Sequence, residues 1–245
     1  MTGETATSPA LWVCDLGLVE YDEALGLQRA AAKARIAGTI PQDLLLLCEH
    51  PPVVTLGRSS KAQHLLASPD ALAARGIALR EVERGGDVTL HAPGQLVGYP
   101  IVDLKRHKQD LHWYLRQVEA ALIRASAALG VTSERREGLT GTWVGNRKLA
   151  SIGVHARDWV TWHGFALNVT TDLSLFDVMV PCGIADVEMT SLAREGADLG
   201  DDPQRVRDAA ATSLASTFAL APRALHPSAL EALVASARVN PPAEA

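Results

Sequence analysis

The sequence predicts a single α+β domain built on a mixed sheet that helices flank. Segments with helical periodicity are few and grouped, near residues 21–37, 110–129 and 203–219. Strand-like segments lie between these groups and do not alternate regularly with them, which favours an α+β arrangement over a βαβ fold. A chain of 245 residues is also long enough to bury one substantial core.

The predicted strands are apolar or β-branched runs that end at glycine, proline or other turn residues. They span residues 11–16, 43–49, 53–57, 77–83, 96–104, 142–154 and 159–169. His50-Pro51-Pro52 interrupts the chain between the second and third strands, since proline cannot continue a ladder. Gly145-Asn146 predicts a hairpin turn inside the sixth segment.

The predicted helices combine apolar residues at helical spacing with recognisable ends. The clearest follows Asp110, a favourable N-cap, and ends at Gly130. One face of this helix carries apolar residues at helical spacing. These are Leu111, Leu115, Val118, Leu122, Ala125 and Leu129. The other predicted helices span residues 21–36, 69–75 and 204–219, and a short one starts at Pro227.

Composition and charge narrow the function classes. The formal charge of −5 gives no general attraction to nucleic acid or to an anionic membrane. The dense basic run at residues 105–108 is typical of a solvated loop, with an acidic partner as the alternative. Apolar runs are too short to cross a bilayer, and no signal peptide is recognisable.

Three widely spaced cysteines, Cys14, Cys48 and Cys182, suggest neither a disulfide framework nor a zinc site. We therefore expect a protein of a reducing compartment, the cytoplasm.

The stretch from Gly138 to Ile184 is the most informative for function. It carries Lys148 on a predicted strand and Cys182 in the tight turn Pro181-Cys182-Gly183. The thiolate is the reactive form of cysteine, and a neighbouring ammonium favours it. We predict that folding brings these two side chains together as nucleophile and activating cation. The alternative is that Cys182 is a small buried apolar residue.

A second stretch runs from Arg84 to Gln95. Its paired glycines allow close approach to a ligand and leave backbone N–H groups free to donate. The alternative is a glycine hairpin with exposed polar side chains, and His91 is either a general base or a structural histidine. Small and apolar residues at 151–153 and 164–166 suit a channel for an aliphatic chain, with β-bulges as the alternative.

Four motifs in this order resemble the octanoyltransferases of lipoate synthesis, the lipoyl(octanoyl) transferases. They are RGG-x2-T-x-H-x-PGQ at 84–95, RKLASIGV at 147–154, HGFALN at 163–168 and PCGI at 181–184. The resemblance covers most of residues 40–195. It implies the fold of the biotin and lipoate protein ligases, a mixed, mostly antiparallel sheet with flanking helices. It also implies a catalytic domain over residues 11–222, between a flexible N-terminus (1–10) and a short helical C-terminal extension (223–245).

The same resemblance assigns roles to individual residues. Cys182 would carry the acyl group as a thioester, and Lys148 would activate it. Three segments would bind substrate. They comprise Arg84, Gly85, Gly86, Asp87, Val88, Thr89, Leu90, His91, Ser151, Ile152, Gly153, Gly164, Phe165 and Ala166. Two positions depart from the family pattern, Leu90 where an aromatic residue is common and Ala92 where glycine is usual.

The implied reaction moves an octanoyl or lipoyl group from acyl carrier protein to one lysine of a lipoyl domain. The acceptors would be the lipoyl domains of 2-oxoacid dehydrogenases and the glycine cleavage H protein. The donor thioester supplies the energy, so no ATP, metal or bound cofactor is expected. Two alternatives stay open, an ATP-dependent lipoate or biotin protein ligase and a non-catalytic module that binds lipoyl domains.

Overall fold

A computed structural model describes residues 9–183, 187–200, 202 and 204–239. Residues 1–8 of the expected flexible N-terminus, Ile184 of the PCGI motif and residues 240–245 of the expected extension lie outside the described residues. The described helices are α1 (Tyr21–Ile36), α2 (Pro69–Ala74), α3 (Leu111–Ala128), α4 (Gln204–Thr217) and α5 (Pro227–Val239). No described helix is both long enough and apolar enough to cross a membrane.

The strands among the described residues form two sheets. They are β1 (Ala10–Leu18), β2 (Asp43–Glu49), β3 (Val53–Leu56), β4 (Ala78–Glu81), β5 (Val88–His91), β6 (Gln95–Ile101), β7 (Glu134–Arg136), β8 (Leu139–Val144), β9 (Arg147–Arg157), β10 (Val160–Asn168), β11 (Glu188–Met189) and β12 (Ala221–Ala224). The main sheet has the order β12-β1-β2-β6-β10-β9-β8-β7, with β11 beside β9, and the small sheet has the order β4-β3-β5.

Most of the ladders in the main sheet are antiparallel. From β2 to β7 each strand runs opposite to its neighbour. The pairs β12–β1, β1–β2 and β11–β9 are parallel. The predicted fold class, an α+β domain with a mixed and mostly antiparallel sheet, is confirmed.

Helices cover both faces of the main sheet. The sequence of β2 indicates this arrangement, because residues 44–48 are all apolar and alternate residues of a strand point to opposite faces. Leu45 and Leu47 pack on the face that α3 and α4 cover. Leu44 and Leu46 pack on the opposite face, with α1 and α5. Helix α3 begins where it was predicted, since the Asp110 carboxylate accepts a hydrogen bond from the Trp113 N–H at 3.0 Å.

Several boundaries differ from the prediction for local reasons. The strand predicted to reach residue 104 ends at Ile101, because the Asp103 carboxylate caps a 3₁₀ turn by accepting from the Lys105 N–H. Strand β12 was not predicted, since its four residues include Pro222. This strand pairs with β1 and spans the domain boundary expected at residue 222. Helix α5 buries Leu230 completely against the same core as α1.

Candidate active site

A cavity of about 220 Å³ lies on the face of the main sheet next to the small sheet. Its lining comes from α1, β5, β6, β8, β9, β10, the glycine segment before β5 and the turn at Cys182. Strand β9 supplies Lys148, Ser151, Ile152 and Gly153, and β10 supplies residues 163–166. Segments far apart in the chain therefore converge on one space.

Lys148 and Cys182 meet inside this cavity. Lys148 Nζ lies 3.0 Å from Cys182 Sγ, and the lysine is only 2% exposed. The described residues include no carboxylate in an ion pair with Lys148, whose ammonium otherwise lies over the Trp143 ring, 5.2 Å from its centroid. A buried cation needs a compensating partner. Within the described part of the chain, the sulfur of Cys182 is the group placed to compensate it.

Gly141 makes room for the lysine. A Cβ atom at this position would lie 2.9 Å from Lys148 Cε, and its φ of 128° is one that side-chain-bearing residues rarely adopt. Ser151 completes the immediate surroundings of the sulfur, with its Oγ 3.8 Å from Cys182 Sγ.

The turn at Cys182 has an unusual backbone. Cys182 adopts φ 55° and ψ 19°, in the left-handed region where non-glycine residues are uncommon. Gly183 follows with φ 65°, and its N–H donates to the Val180 carbonyl at 3.0 Å. The cysteine therefore sits at the apex of a tight bend that borders the cavity.

A histidine–carboxylate pair, His64 and Asp87, packs against this turn. His64 Nδ1 lies 2.6 Å from Asp87 Oδ2, and the other carboxylate oxygen accepts from the Val88 N–H at 2.7 Å. The His64 carbonyl accepts from the Val180 N–H at 2.8 Å. Both side chains touch Gly183, where a Cβ atom would lie 2.7 Å from His64 Nδ1. The pair thus fixes the position of the residue that follows the cysteine.

Arg84 is a second buried cation at the site. Its guanidinium donates to the Thr55 carbonyl at 2.7 Å and to Thr55 Oγ1 at 2.8 Å. Burial lowers the pKa of Arg84 from its ordinary value. No ion pair joins Arg84 to a carboxylate among the described residues, so its positive charge remains available to an anionic group in the cavity.

A hydrogen-bonded chain sets the tautomer of His91. The Thr190 carbonyl can only accept, so Asn168 Nδ2 must donate to it. Asn168 Oδ1 then accepts from Gln95 Nε2, which leaves Gln95 Oε1 to accept from His91 Nδ1 at 3.0 Å. His91 therefore carries its proton on Nδ1 and a lone pair on Nε2. Burial lowers the pKa of His91 well below its ordinary value, so the ring is neutral at pH 7.

On the β6 side of the cavity the rings of Tyr21 and His50 contact His91, and the ring of Tyr99 contacts His50. Tyr21 stacks on His91 with ring centroids 5.7 Å apart, and His50 meets Tyr21 edge-on at 5.3 Å. His50 Nε2 hydrogen-bonds the Tyr99 hydroxyl at 2.7 Å. Burial raises the pKa of Tyr21 to about 12 and lowers that of His50, so these rings are uncharged near neutral pH.

The structure brings most of the expected site residues together. The cavity lining includes Cys182, Lys148, Arg84, Gly86, Asp87, Thr89, His91, Ser151, Ile152, Gly153, Gly164, Phe165 and Ala166. Gly85, Val88 and Leu90 do not line it. Strand alternation explains two of these, because Val88 and Leu90 point into a separate apolar cluster. The Gly85 N–H instead donates to the Val154 carbonyl at 2.8 Å and ties the glycine segment to β9.

The two departures from the family pattern lie in that same apolar cluster. Leu90 and Ala92 are both fully buried there, away from the cavity. Their effect on the cavity is therefore through packing and not through contact with a ligand.

Sequence reasoning missed several lining residues. They are Tyr21, Tyr99, Gly138, Leu139, Thr140 and His163. His163 had a signal, since it opens the HGFALN motif. It adopts φ 56° inside β10, and its N–H donates to the buried Gln28 Oε1 at 3.0 Å. Tyr21 had none, because helix α1 reaches the cavity only through tertiary packing.

The basic run at residues 105–108 makes contacts within the chain. Lys105 pairs with Asp103, His107 with Asp43 and Lys108 with Asp110. The Arg106 guanidinium donates to the Pro41 carbonyl. Within the described ranges, no three His, Cys, Asp or Glu side chains converge as a metal ion would require.

Comparison with known proteins identifies the family. Residues 20–215 match the family model described as the lipoyl protein ligase A/B catalytic domain. The octanoyltransferase of Synechococcus elongatus is 46% identical over 226 residues, which cover 92% of this chain and 94% of that protein. The octanoyltransferase of Acidobacterium capsulatum is 52% identical over 196 residues, covering 75% and 79%.

Solved structures share the fold at low sequence identity. The bipartite lipoate protein ligase of Thermoplasma acidophilum, solved in a study of that ligase and its E2 lipoyl domain, aligns with a TM-score of 0.70 and 17% identity over 94% of this chain and 92% of that chain. Lipoate-protein ligase A bound with ATP aligns with a TM-score of 0.69 and 17% identity over 98% and 97%. From the family match and the close relatives, this chain belongs to the lipoyl protein ligase A/B catalytic domain family, as one of its octanoyltransferases.

Proposed function

We propose that this octanoyltransferase moves an octanoyl or lipoyl group from acyl carrier protein to a lysine of a lipoyl domain, through a thioester on Cys182. The observation that carries the proposal is the 3.0 Å contact between Lys148 Nζ and Cys182 Sγ inside a cavity. An ammonium at this distance favours the thiolate, the form of cysteine that attacks a thioester. The catalytic domain would include the predicted residues 11–222.

In the first step the Cys182 thiolate attacks the carbonyl carbon of the donor thioester. A new C–S bond forms, the bond to the carrier's sulfur breaks, and the carrier leaves as a thiol after it takes a proton from Lys148. One thioester replaces another, so this step is close to balanced in free energy. Burial of Lys148 beside the sulfur places its proton where the departing sulfur needs it.

In the second step the neutral ε-amine of the acceptor lysine attacks the acyl-enzyme. A C–N bond forms and the C–S bond to Cys182 breaks. Lys148, uncharged after the first step, takes the proton that the new amide loses, which restores the ammonium beside the thiolate. Formation of the amide from a thioester drives the sequence forward.

His91 is the second candidate for that proton. Its Nε2 lone pair suits a base, but its ring stacks on Tyr21 and bonds to Gln95 of β6. Lys148 lies on β9, two strands from β6 in the sheet order, and its Nζ contacts the sulfur that carries the acyl group. The position of Lys148 therefore favours it over His91.

The tetrahedral intermediate of each step carries a negative oxygen. The N–H groups near Cys182 and Gly153 are the backbone candidates to hold it, and Ser151 Oγ lies 3.8 Å from the sulfur. The positive charge of Arg84, free of a carboxylate partner among the described residues, adds long-range stabilisation.

The acceptor would be a lipoyl domain of a 2-oxoacid dehydrogenase or the glycine cleavage H protein. The T. acidophilum ligase of the same fold was studied with its E2 lipoyl domain, which supports this class of acceptor. All three cysteines are free, which supports a reducing compartment such as the cytoplasm.

The proposal is tested by transfer to an isolated lipoyl domain. With octanoyl-acyl carrier protein as donor and no ATP, the acceptor should gain the mass of one octanoyl group in the presence of the wild-type chain and not with Cys182→Ser. Cys14→Ser, which removes a buried thiol outside the cavity, is the matched control and should transfer normally. Transfer by Cys182→Ser at the wild-type rate would overturn the proposed mechanism.

The ATP-dependent alternative has one observation in its favour, the shared fold of lipoate-protein ligase A bound with ATP. Incubation of the wild-type chain with labelled ATP and free octanoate distinguishes the two. Formation of octanoyl-adenylate would replace the proposed reaction with a ligase reaction, whereas its absence together with transfer from the carrier supports the proposal.

A further inference from the structure

The cavity extends across four strands of the main sheet, from β8 to β6. Cys182 contacts Lys148 and Ser151 of β9, and Leu139 and Thr140 of β8 line the cavity on the far side of that strand. In the other direction the lining crosses β10 and reaches Tyr99 of β6. Neighbouring strands in a sheet are about 4.8 Å apart, so β9 and β6 are separated by roughly 10 Å.

The floor of the cavity between β9 and β6 is made of small residues. On β9 these are Ser151 and Gly153, and on β10 they are the residues paired with them, Ala166 and Gly164. The third strand, β6, contributes a large side chain to the lining, that of Tyr99. Tyr99 is the residue after Gly98, which pairs with Phe165 of β10. The floor is therefore an open slot over two strands that meets a bulky side chain at the third.

Interlocked rings close the slot at the β6 end. Tyr21, from the first turn of α1, stacks on His91 at an interplanar angle of 16°. His50 meets Tyr21 edge-on and bonds to the Tyr99 hydroxyl. We call the cavity-lining members of this group, Tyr21, His91 and Tyr99, the end wall.

Hydrogen bonds behind the end wall hold it in place. His50 Nδ1 lies 2.7 Å from the Val19 carbonyl, and His91 is fixed through Gln95 to Asn168. These hydrogen bonds fix the orientation of the His50 and His91 rings. Tyr21 is the exception, since its hydroxyl has no hydrogen-bond partner among the described residues and only ring contacts position it.

The slot matches the length of an octanoyl chain. An extended chain advances about 3.3–3.6 Å for every three bonds, so the seven C–C bonds of octanoyl span roughly 8 Å and the eleven of dodecanoyl roughly 13 Å. The first is shorter than the roughly 10 Å between β9 and β6, and the second is longer. We propose, on the basis of the proposed function, that the end wall limits the acyl chain to about eight carbons and that Tyr21 is its specificity-determining residue.

The test compares acyl carrier proteins loaded with octanoyl, decanoyl or dodecanoyl groups. The rate of acyl-enzyme formation is followed by intact mass for the wild-type chain, for Tyr21→Ala and for Leu25→Ala. Leu25 is the matched control, because it is also a buried side chain of α1 but does not line the cavity. Tyr21→Leu, which keeps an apolar side chain in place, is used if circular dichroism shows that Tyr21→Ala is unfolded.

The wild-type chain should form the octanoyl adduct and disfavour dodecanoyl. In the Tyr21 variant the ratio of dodecanoyl to octanoyl rates should rise roughly tenfold or more, the scale on which a pocket discriminates added methylenes, and in Leu25→Ala it should not change. A folded Tyr21 variant with the wild-type ratio, or an equal rise in Leu25→Ala, would overturn the proposal. Failure of the wild-type chain to form any octanoyl adduct would instead overturn the proposed function.

Discussion

Lys148 Nζ and Cys182 Sγ lie 3.0 Å apart although 34 positions separate the two residues in the chain. Strand β9 supplies the lysine, and a left-handed turn supplies the cysteine. The contact joins a buried cation to a nucleophile that borders a cavity, and the proposed chemistry depends on it.

Replacing Lys148 should weaken the nucleophile. In Lys148→Met, which keeps much of the shape of the side chain without its charge, alkylation of Cys182 by iodoacetamide should need a higher pH than in the wild-type chain. Acyl transfer should fall by roughly a hundredfold or more, as expected on loss of a proton-transfer group. Lys61→Met, at an exposed position, is the control. An alkylation profile that does not move would remove Lys148 as the activator.

The other two cysteines should be inert. Burial raises the pKa of Cys14 to about 11, and burial also raises the pKa of Cys48 well above its ordinary value. At pH 8 iodoacetamide should therefore modify Cys182 in the native chain and leave Cys14 and Cys48 unmodified, as measured by peptide mass mapping. Native alkylation of Cys48 as fast as that of Cys182 would contradict the assigned environments.

Gly183 should not tolerate a side chain. In Gly183→Ala the new Cβ would collide with the His64–Asp87 pair, and the residue would keep a φ of 65°. We expect the turn to shift and acyl-enzyme formation to fall at least tenfold, measured by single-turnover kinetics.

Gly196→Ala is the matched control for that change. Gly196 also has a positive φ, 77°, but its Cβ would meet no atom within 4 Å. This variant should show only a backbone cost of about 1–2 kcal/mol in stability and normal acylation. Equal losses of acylation in the two variants would mean that the His64–Asp87 pair does not position the turn.

Stability should fall as the pH drops below about 6.5. Burial lowers the pKa of His91 and of His163 in the folded chain, so the unfolded chain binds more protons in this range. The free energy of unfolding then rises with pH and falls on acidification. Because burial lowers the pKa of His91 well below its ordinary value, this residue alone contributes up to about 1 kcal/mol of that loss between pH 6.5 and 5.5.

Urea unfolding at several pH values measures this dependence. His91→Asn should show a shallower slope of stability against pH than the wild-type chain, because one proton fewer is taken up on unfolding. A variant slope as steep as that of the wild-type chain would exclude His91 as a contributor.

The sequence carried enough information for the reactive pair but not for the whole cavity. Lys148 and Cys182 lie in recognisable motifs, and their chemistry follows from residue type. Val88 and Leu90 were expected at the site because they stand inside a motif. Alternation along β5 sends both into the apolar cluster beneath it, which the strand pattern itself could have indicated.

Contributions from tertiary packing could not be predicted. Tyr21 belongs to a helix whose sequence is typical of any surface helix, and it reaches the cavity because α1 packs on β10 and β6. Strand β12 was hidden by Pro222, which is tolerated because this strand lies at the edge of the sheet. In both cases the position depends on packing or pairing with segments far away in the chain, and local sequence propensity does not contain that information.

The most direct test of the central claim is the intact mass of the chain after it is mixed with octanoyl-acyl carrier protein alone. We expect a gain equal to one octanoyl group, located on Cys182 by peptide mapping, lost on addition of a lipoyl domain and absent in Cys182→Ser. A chain that transfers octanoyl to the lipoyl domain while its own mass never changes, or an adduct that persists in Cys182→Ser, would contradict it.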